Sequence, residues 1–418
     1  RILMAAGTSA AVTVVGGGLA GCEAAFQLAR FGIPVRLFEM RPKVRTPAHR
    51  GEGLAEIVCS NSLKSTAPAT ASGLLKEELD LWGCRLLSLA RQASVPAGAA
   101  LAVDKDEFSR LVGDALEAHP LIQLTREEIS ALPVTEDHVW LVATGPLTSA
   151  PLVADLGRMT GLPGLHFFDA IAPTVTLESL DLDVLYRAAR YDRGEADYLN
   201  AAMDQTTYRD FVTSLLEAEK AAVHDFDRSE LFDGCQPIEE IAASGPQSLA
   251  FGPLRPVGLN DPITGRRAHA VVQLRQENRE GTLFGLVGFQ TRLKFGEQKR
   301  VFRGIPGLAD AEFVRYGQLH RNFYLDTPRV CNGDFSLRNR PDVFIAGQIS
   351  GVEGYVESMT SGLVTAWRVA ARLRGLELPD LPAESMTGSL LRGFLFDTTT
   401  DRLAPMNVNF GLVPDLRE

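Results

Sequence analysis

The stretch from Val12 to Arg30 constrains the fold more than any other. Val12-Thr13-Val14-Val15 is a short β-branched run. Gly16-Gly17-Gly18-Leu19-Ala20-Gly21 follows at once, with glycines at the first, third and sixth places of G-x-G-x-x-G. Cys22 to Arg30 reads as a helix with Ala24, Ala25, Leu28 and Ala29 on a small apolar face. Pro34 to Phe38 reads as a second strand, ending at Glu39, eighteen residues beyond Gly21. In such a frame the first glycine permits the tight turn, the second lets backbone approach a pyrophosphate, and the third lets the helix pack close to the strand. The helix N-terminus faces the phosphates with free N–H groups, and the acid accepts from the ribose hydroxyls. The pattern predicts a dinucleotide site at residues 16–21 and Glu39. An acid at position 39 favours FAD or NAD over NADP.

A chain of 418 residues has room for two or three domains. Its 45% hydrophobic and 22% charged residues are those of an ordinary soluble protein. No apolar run approaches the roughly 20 residues that cross a bilayer, and no signal peptide is read at the N-terminus. Five cysteines, at 22, 59, 84, 235 and 331, are scattered without a C-x-x-C pair. That argues against a metal site or a disulfide framework, and for a cytoplasmic setting. The net charge of −10 hides an asymmetry: residues 255–340 hold 15 Arg or Lys against 8 Asp or Glu. Such a segment is either a phosphate footprint or a solvated face balanced by acids elsewhere.

Along the chain, Lys43 to Gly53 reads as a polar loop over the cofactor, with Arg45 as a further contact. Cys59 precedes Ser60-Asn61-Ser62, which are turn and N-cap formers, and Lys64 is close by. Such a thiol is either reactive, with its thiolate favoured, or a small buried hydrophobe. Leu74 to Leu89 reads as one amphipathic helix carrying Cys84 in the core. Asp104 to Ala118 reads as the next helix, with Asp106 as cap. A buried strand from Val139 ends at Ala143-Thr144-Gly145, beside the adenine half of FAD. From about residue 165, His166–Ala170 and Pro173–Leu177 read as strands of a different sheet. Thr206–Val223 reads as a helix, and Ala270–Arg275 and Thr282–Val287 as antiparallel strands. Cys235 lies between Gly234 and Pro237, on a turn that either exposes the thiol or uses it structurally. A second strand-to-helix turn, Gly347-Gln348-Ile349-Ser350-Gly351-Val352-Glu353-Gly354-Tyr355, suits the flavin end of the cofactor. Residues 372–418 read as a Pro-broken helical tail without chemistry.

These stretches together resemble the folate- and FAD-dependent tRNA (uracil-5-)-methyltransferases. The strings that carry the likeness include "VVGGGLAGCEAA", "FEMRP", "VCSNSLKS", "GCQPIEE", "FGPLRPVGL", "VGFQTRLKFGEQKRVFRGIPGL" and "AGQISGVEGYVES", spread from near residue 12 to about 375. GidA (MnmG), a larger tRNA-modifying flavoprotein with a C-terminal helical domain, is a related alternative. A small-molecule flavin oxidoreductase and a non-catalytic RNA-binding flavoprotein are further ones.

The resemblance implies an α/β fold: a doubly wound, Rossmann-like FAD-binding domain from residues 1–164 and 331–418, with an inserted mixed α+β domain at 165–330. It implies transfer of the methylene carbon of 5,10-methylenetetrahydrofolate to C5 of uridine 54 in the tRNA T loop, with FAD reduced by NADH or NADPH. It assigns the two functional cysteines to Cys59 and Cys235, without saying which adds to uracil C6. It makes Arg292, Lys294, Lys299 and Arg300 the tRNA-contact candidates, with Phe295 and Phe302 either stacking groups or core. Tyr355 is placed to stack on the flavin or the folate. Two positions depart from the family pattern. Ala201 stands where many members have cysteine, and Arg292 where many have histidine.

Overall fold

A computed structural model of the chain describes residues 12–135, 138–192, 195–222, 236–262, 265–397 and 403–414. The β-branched run forms the strand β1 (Val12–Val15), buried along its whole length. It lies inside a six-stranded sheet ordered Ser336–Leu337, Arg340–Ile345, Val139–Val142, β1, β2 (Val35–Glu39), Ile122–Arg126. Five of these strands are parallel, and the edge strand Ser336–Leu337 is antiparallel. The sheet thus draws its strands from both ends of the chain. Helix α1 (Leu19–Arg30) follows β1, and the 19-residue helix Tyr355–Leu373 packs against it.

The single helix expected over Leu74–Leu89 is two, α2 (Ala71–Trp82) and α3 (Arg85–Gln92). Gly83 adopts φ +75° and ends α2 with a left-handed residue. The buried Glu23 carboxylate on α1 then accepts the N–H groups of Arg85 and Leu86, at 3.1 and 2.8 Å, and starts α3. One helix caps another, a long-range device that periodicity does not reveal. Helix α4 (Lys105–Glu117) is capped by Asp104, whose Oδ1 accepts from Asp106 and Glu107, so Asp106 donates backbone and is not the cap. The helix read as Thr206–Val223 runs from Gln205 to Glu217. Beyond it Lys220 bridges to Leu293, and Ala221 donates to Arg292 O at 2.7 Å.

A second six-stranded sheet is antiparallel throughout, ordered Tyr186–Ala188, Tyr198–Met203, Ala270–Gln276, Leu283–Leu286, Thr174–Thr176, Phe313–Arg315. Its pleat sorts its side chains. Leu199, Ala201, Met203, Val272 and Leu274 join the core with Tyr208 and Phe211. On the alternate positions Asn200, Gln273 and Arg275 carry polar groups that bond each other or Asn61. His166–Ala170 does not belong to this sheet. The strand Leu165–Ala170 pairs with Leu319–Tyr324 in a separate two-stranded ribbon, and its Phe167 packs in the core around α1.

Gly362 on the long helix marks how tightly the two ends of the chain meet, because a Cβ there would lie 2.2 Å from Ala20 O. Gly362→Ala is expected to force the helices apart and cost about 1–3 kcal/mol, read as a lower denaturation midpoint.

Candidate active site

The glycine turn has the geometry a diphosphate needs. Gly16 holds φ +107°, and a Cβ on it would lie 2.6 Å from Ala143 O. A Cβ on Gly21 would lie 1.9 Å from Gly16 O, so the helix sits hard against the turn. A Cβ on Gly18 would meet nothing within 4 Å, so the open side of the turn is here. Helix α1 begins at this point with no side-chain cap and no acid in its first turn. Its N-terminal dipole is left for an anion.

Glu39 is built into the turn. Its Oε2 accepts from Gly17 N–H at 2.9 Å, and its Oε1 accepts from the backbone N–H and Nε of Arg41 at 3.0 and 2.9 Å. Burial pushes the carboxyl up, but these bonds and the Arg41 charge outweigh it and hold the group below its ordinary value. Arg41 also grips Glu56 at 2.5 Å and the carbonyl of Gly53 at 3.0 Å, which orders the polar loop. Glu39, Arg41, Gly16 and Thr144 line a cavity of about 70 Å³. Arg45 lines neither this cavity nor the larger one described next. Its side chain is 66% exposed, 3.4 Å from Glu52, so the arginine that reaches the turn is Arg41.

A larger cavity of about 320 Å³ runs from Gly18, Leu19, Ala20 and Thr144-Gly145 to Cys59, Gln348, Glu353, Gly354 and Tyr355. Tyr355 opens the long helix, and its hydroxyl accepts the N–H groups of Cys59 and Ser60 at 2.9 and 3.2 Å. Arg275 of the second sheet holds the next residues, donating to Ser60 Oγ at 2.6 Å and Asn61 Oδ1 at 2.8 Å. The Cys59 segment is therefore pinned by the second glycine turn on one side and the second sheet on the other. Cys59 Sγ lies 3.2 Å from Asp169 Oδ2.

Of the two sequence readings for this thiol, the environment does not support the one in which the thiolate is favoured. Ser62–Ser65 is a strand rather than a helix start. The Lys64 ammonium turns to Glu357, 3.2 Å away. Burial first, then the Asp169 carboxylate, push the Cys59 thiol well above its ordinary value. Glu353 is likewise pushed up to about 8, by burial and then by Asp169. Gln348 donates to the Glu353 carboxyl. Gly347, Gly351 and Gly354 all have positive φ, and the N–H of Gly347 donates to Ser361 Oγ. Val352 is core and bridges to Met406.

The tail thus returns over the second glycine turn, and Asn407 lines the cavity while donating to Glu353 O at 2.6 Å. Nothing in the sequence marks Asn407. Asp169 did leave a signal, an acid inside the apolar run Phe167-Phe168-Asp169-Ala170. Cys235 lies outside the described residues. The residues after it are anchored, with Ile238 N–H on Gln290 O at 2.7 Å and Glu239 accepting from Thr291 Oγ1 and Arg292 N–H.

Three of the four proposed tRNA contacts are already in ion pairs. Arg292 is 2.7 Å from Glu240 with its side chain 14% exposed. Lys294 pairs with Glu219, and Arg300 with Glu297. Lys299 is exposed on the helix Phe295–Phe302. Phe302 is core, whereas the half-exposed Phe295 stacks on Tyr316 at 4.7 Å. Among the described residues no helix is long and apolar enough to cross a membrane, and no cluster of three His, Cys, Asp or Glu could hold a metal ion.

This architecture recurs in solved structures. Two crystal forms of Aquifex aeolicus GidA superpose with TM-scores of 0.69 and 0.70 at 17% and 16% identity, covering 91% and 94% of this chain and 66% and 70% of theirs. The family model described as "Glucose inhibited division protein A" matches residues 11–377. Curated relatives named methylenetetrahydrofolate–tRNA-(uracil-5-)-methyltransferase TrmFO are similar at sequence level. That of Desulfitobacterium hafniense is 52% identical over 97% of this chain and 92% of its own length. That of Natranaerobius thermophilus is 49% identical over 97% and 93%. The chain belongs to the glucose inhibited division protein A family, in its TrmFO branch.

The raised Glu353 carboxyl has a measurable consequence. The folded protein keeps this proton where the unfolded chain has lost it, so stability falls as pH rises from about 4.3, the unfolded value. The fall levels off above about 8. In chemical denaturation without ligands, Glu353→Gln is expected to abolish that part of the decline and to gain on the parent as pH rises.

Proposed function

We propose that this chain methylates C5 of uridine 54 in the tRNA T loop, taking the methylene carbon of 5,10-methylenetetrahydrofolate and using FAD reduced by NADH or NADPH. The observation that carries the reading is Cys59: a cavity-facing thiol, held between the two glycine turns and the second sheet, in a chain about half identical to relatives that bear this activity in their names. The activity is an enzyme's, and its setting in our reading is the cytoplasm. We assign residues 1–164 and 331–418 to the FAD-binding domain and 165–330 to an insertion on the tRNA and folate side.

The residues fit FAD. Gly18 is open where a diphosphate meets α1, Glu39 lies beside the smaller cavity for the ribose, and the larger cavity lies against the second turn. A bound flavin supplies the electrons that turn a methylene into a methyl group. The chain's own groups do the rest. Gly18, Leu19 and Ala20 present backbone to the phosphates, with Thr144 and Gly145 across the cavity. Gly347 to Tyr355 close the far wall. One thiolate of Cys59 and Cys235 adds to uracil C6, which makes C5 an enolate-like nucleophile, and the other group of the pair assists proton transfer. The loop base must leave its stack to reach a thiol in the cavity.

The test is transfer of labelled methylene carbon from methylenetetrahydrofolate to an unmodified tRNA transcript with NAD(P)H, beside a transcript lacking uridine 54. Label in the first alone is expected, and Cys59→Ala and Cys235→Ala should each abolish it. Turnover of NAD(P)H with no label in either transcript would favour a small-molecule flavin oxidoreductase. Label independent of uridine 54 would favour another tRNA uridine, as in GidA.

A further inference from the structure

We propose that Arg190 and Arg255 form a phosphate site for the tRNA backbone beside the cavity, an inference that rests on the proposed tRNA substrate. Arg190 follows the edge strand Tyr186–Ala188 and is partly buried. Its Nε donates to Gln273 Oε1 at 2.9 Å, and its Nη1 donates to the carbonyls of Arg255 and Val257 at 2.7 and 2.8 Å. Every one of these partners is neutral. Arg255 is exposed and brings a second guanidinium close. Burial first, then the Arg255 charge, push the Arg190 guanidinium below its ordinary value. Among the described residues neither guanidinium is in an ion pair, and Nη2 of Arg190 keeps its N–H groups for a further acceptor. Arg292, Lys294 and Arg300, by contrast, each have a glutamate. Two like charges held together without an acid attract an anion.

The pair is tied to the same sheet face that holds the cavity segment. Gln273 and Arg275 are two residues apart in the strand Ala270–Gln276, so they share its polar face at a spacing of about 7 Å. Arg275 holds Ser60 and Asn61 next to Cys59, and Gln273 holds Arg190. Close by, this edge of the sheet meets the first domain. Asp197 accepts Gly98 N–H at 2.7 Å, and the Tyr198 hydroxyl donates to Ala97 O at 3.3 Å. Tyr191 adds a ring to the two cations. It takes φ +58°, a left-handed conformation that is costly for a tyrosine, and its N–H donates to Gly258 O at 2.8 Å. Gly258 packs against the ring, since a Cβ there would lie 3.0 Å from three of its carbons, yet Tyr191 is 55% exposed. An exposed ring beside two guanidiniums suits unstacked RNA, with the ring against a base or sugar and the planar fork on a phosphate. A base drawn into the cavity leaves its flanking phosphates outside. One pleat repeat from the anchor of the cavity segment, the bound phosphate is one that flanks the target uridine.

The experiment measures binding of FAD-loaded enzyme to an unmodified tRNA transcript over a salt series, with methyl transfer alongside. Arg255→Gln is the first variant, because only the Arg255 carbonyl serves Arg190 and the exposed side chain can change without breaking that bond. It is expected to weaken tRNA binding about tenfold. The slope of log affinity against log salt should become shallower by about 0.7–0.9, the share of one phosphate contact. Arg255→Lys keeps the charge and should keep the slope. The loss should fall on KM for tRNA and leave KM for methylenetetrahydrofolate and NADPH where they were. Ethylation of single phosphates in the transcript should interfere with binding next to uridine 54, and Arg255→Gln should remove that interference. Unchanged affinity and slope in Arg255→Gln, or interference only at distant phosphates, overturns the proposal. So does a KM rise confined to NADPH or to the folate, which would put a nicotinamide-dinucleotide phosphate or a glutamate tail on the two arginines. A parent enzyme that neither binds nor labels tRNA removes the underlying reading and this site with it. A parent that does both, beside an unaffected Arg255→Gln, removes the arginine site alone.

Discussion

The structure turns on Ala20. Two residues that are distant in sequence close on it: Gly347, whose Cβ would lie 2.6 Å from Ala20 Cβ, and Gly362, whose Cβ would lie 2.2 Å from Ala20 O. At these two glycines only backbone and the Ala20 methyl lie between the first strand-turn-helix and the second. The two turns therefore share one cavity, although more than 300 residues lie between them. A single methyl group at either glycine would push the second turn off the first, and with it Tyr355 and the hydroxyl that holds Cys59.

The second sheet contributes to this site through its polar face. One side of its pleat buries aliphatic and aromatic residues. The other puts Arg275 onto Ser60 and Asn61, while Asn61 donates back to Gln276 O at 2.9 Å. Polar contacts of this kind orient a segment without sealing it in a dry core. The same region concentrates buried acids, Asp169 and Glu353, which with burial push the Cys59 thiol above its ordinary value.

The glycine turns were legible in the sequence because a tight turn beside a close helix leaves few residue choices within a few positions of one another. Glu39 was legible as an acid at the right distance, but its bond to Gly17 N–H was not, since loop direction after β2 decides it. The break between α2 and α3 depends on Glu23, some sixty residues back, and periodicity carries no trace of it. The partners of the basic stretch were hidden for a related reason. Counting charges along 255–340 finds Arg292 and Lys294 but not Glu240 and Glu219, which lie outside the stretch and fold against them. Asn407 reaches the cavity through the course of the tail, which local pattern does not encode.

A crystal structure of the FAD-loaded protein tests the central claim most directly. The account predicts the diphosphate against the backbone of Gly18 to Ala20 and the flavin ring in the cavity shared by Cys59, Asp169 and Tyr355. A flavin seated elsewhere, or a ring that makes no contact with the Cys59 segment, would contradict it.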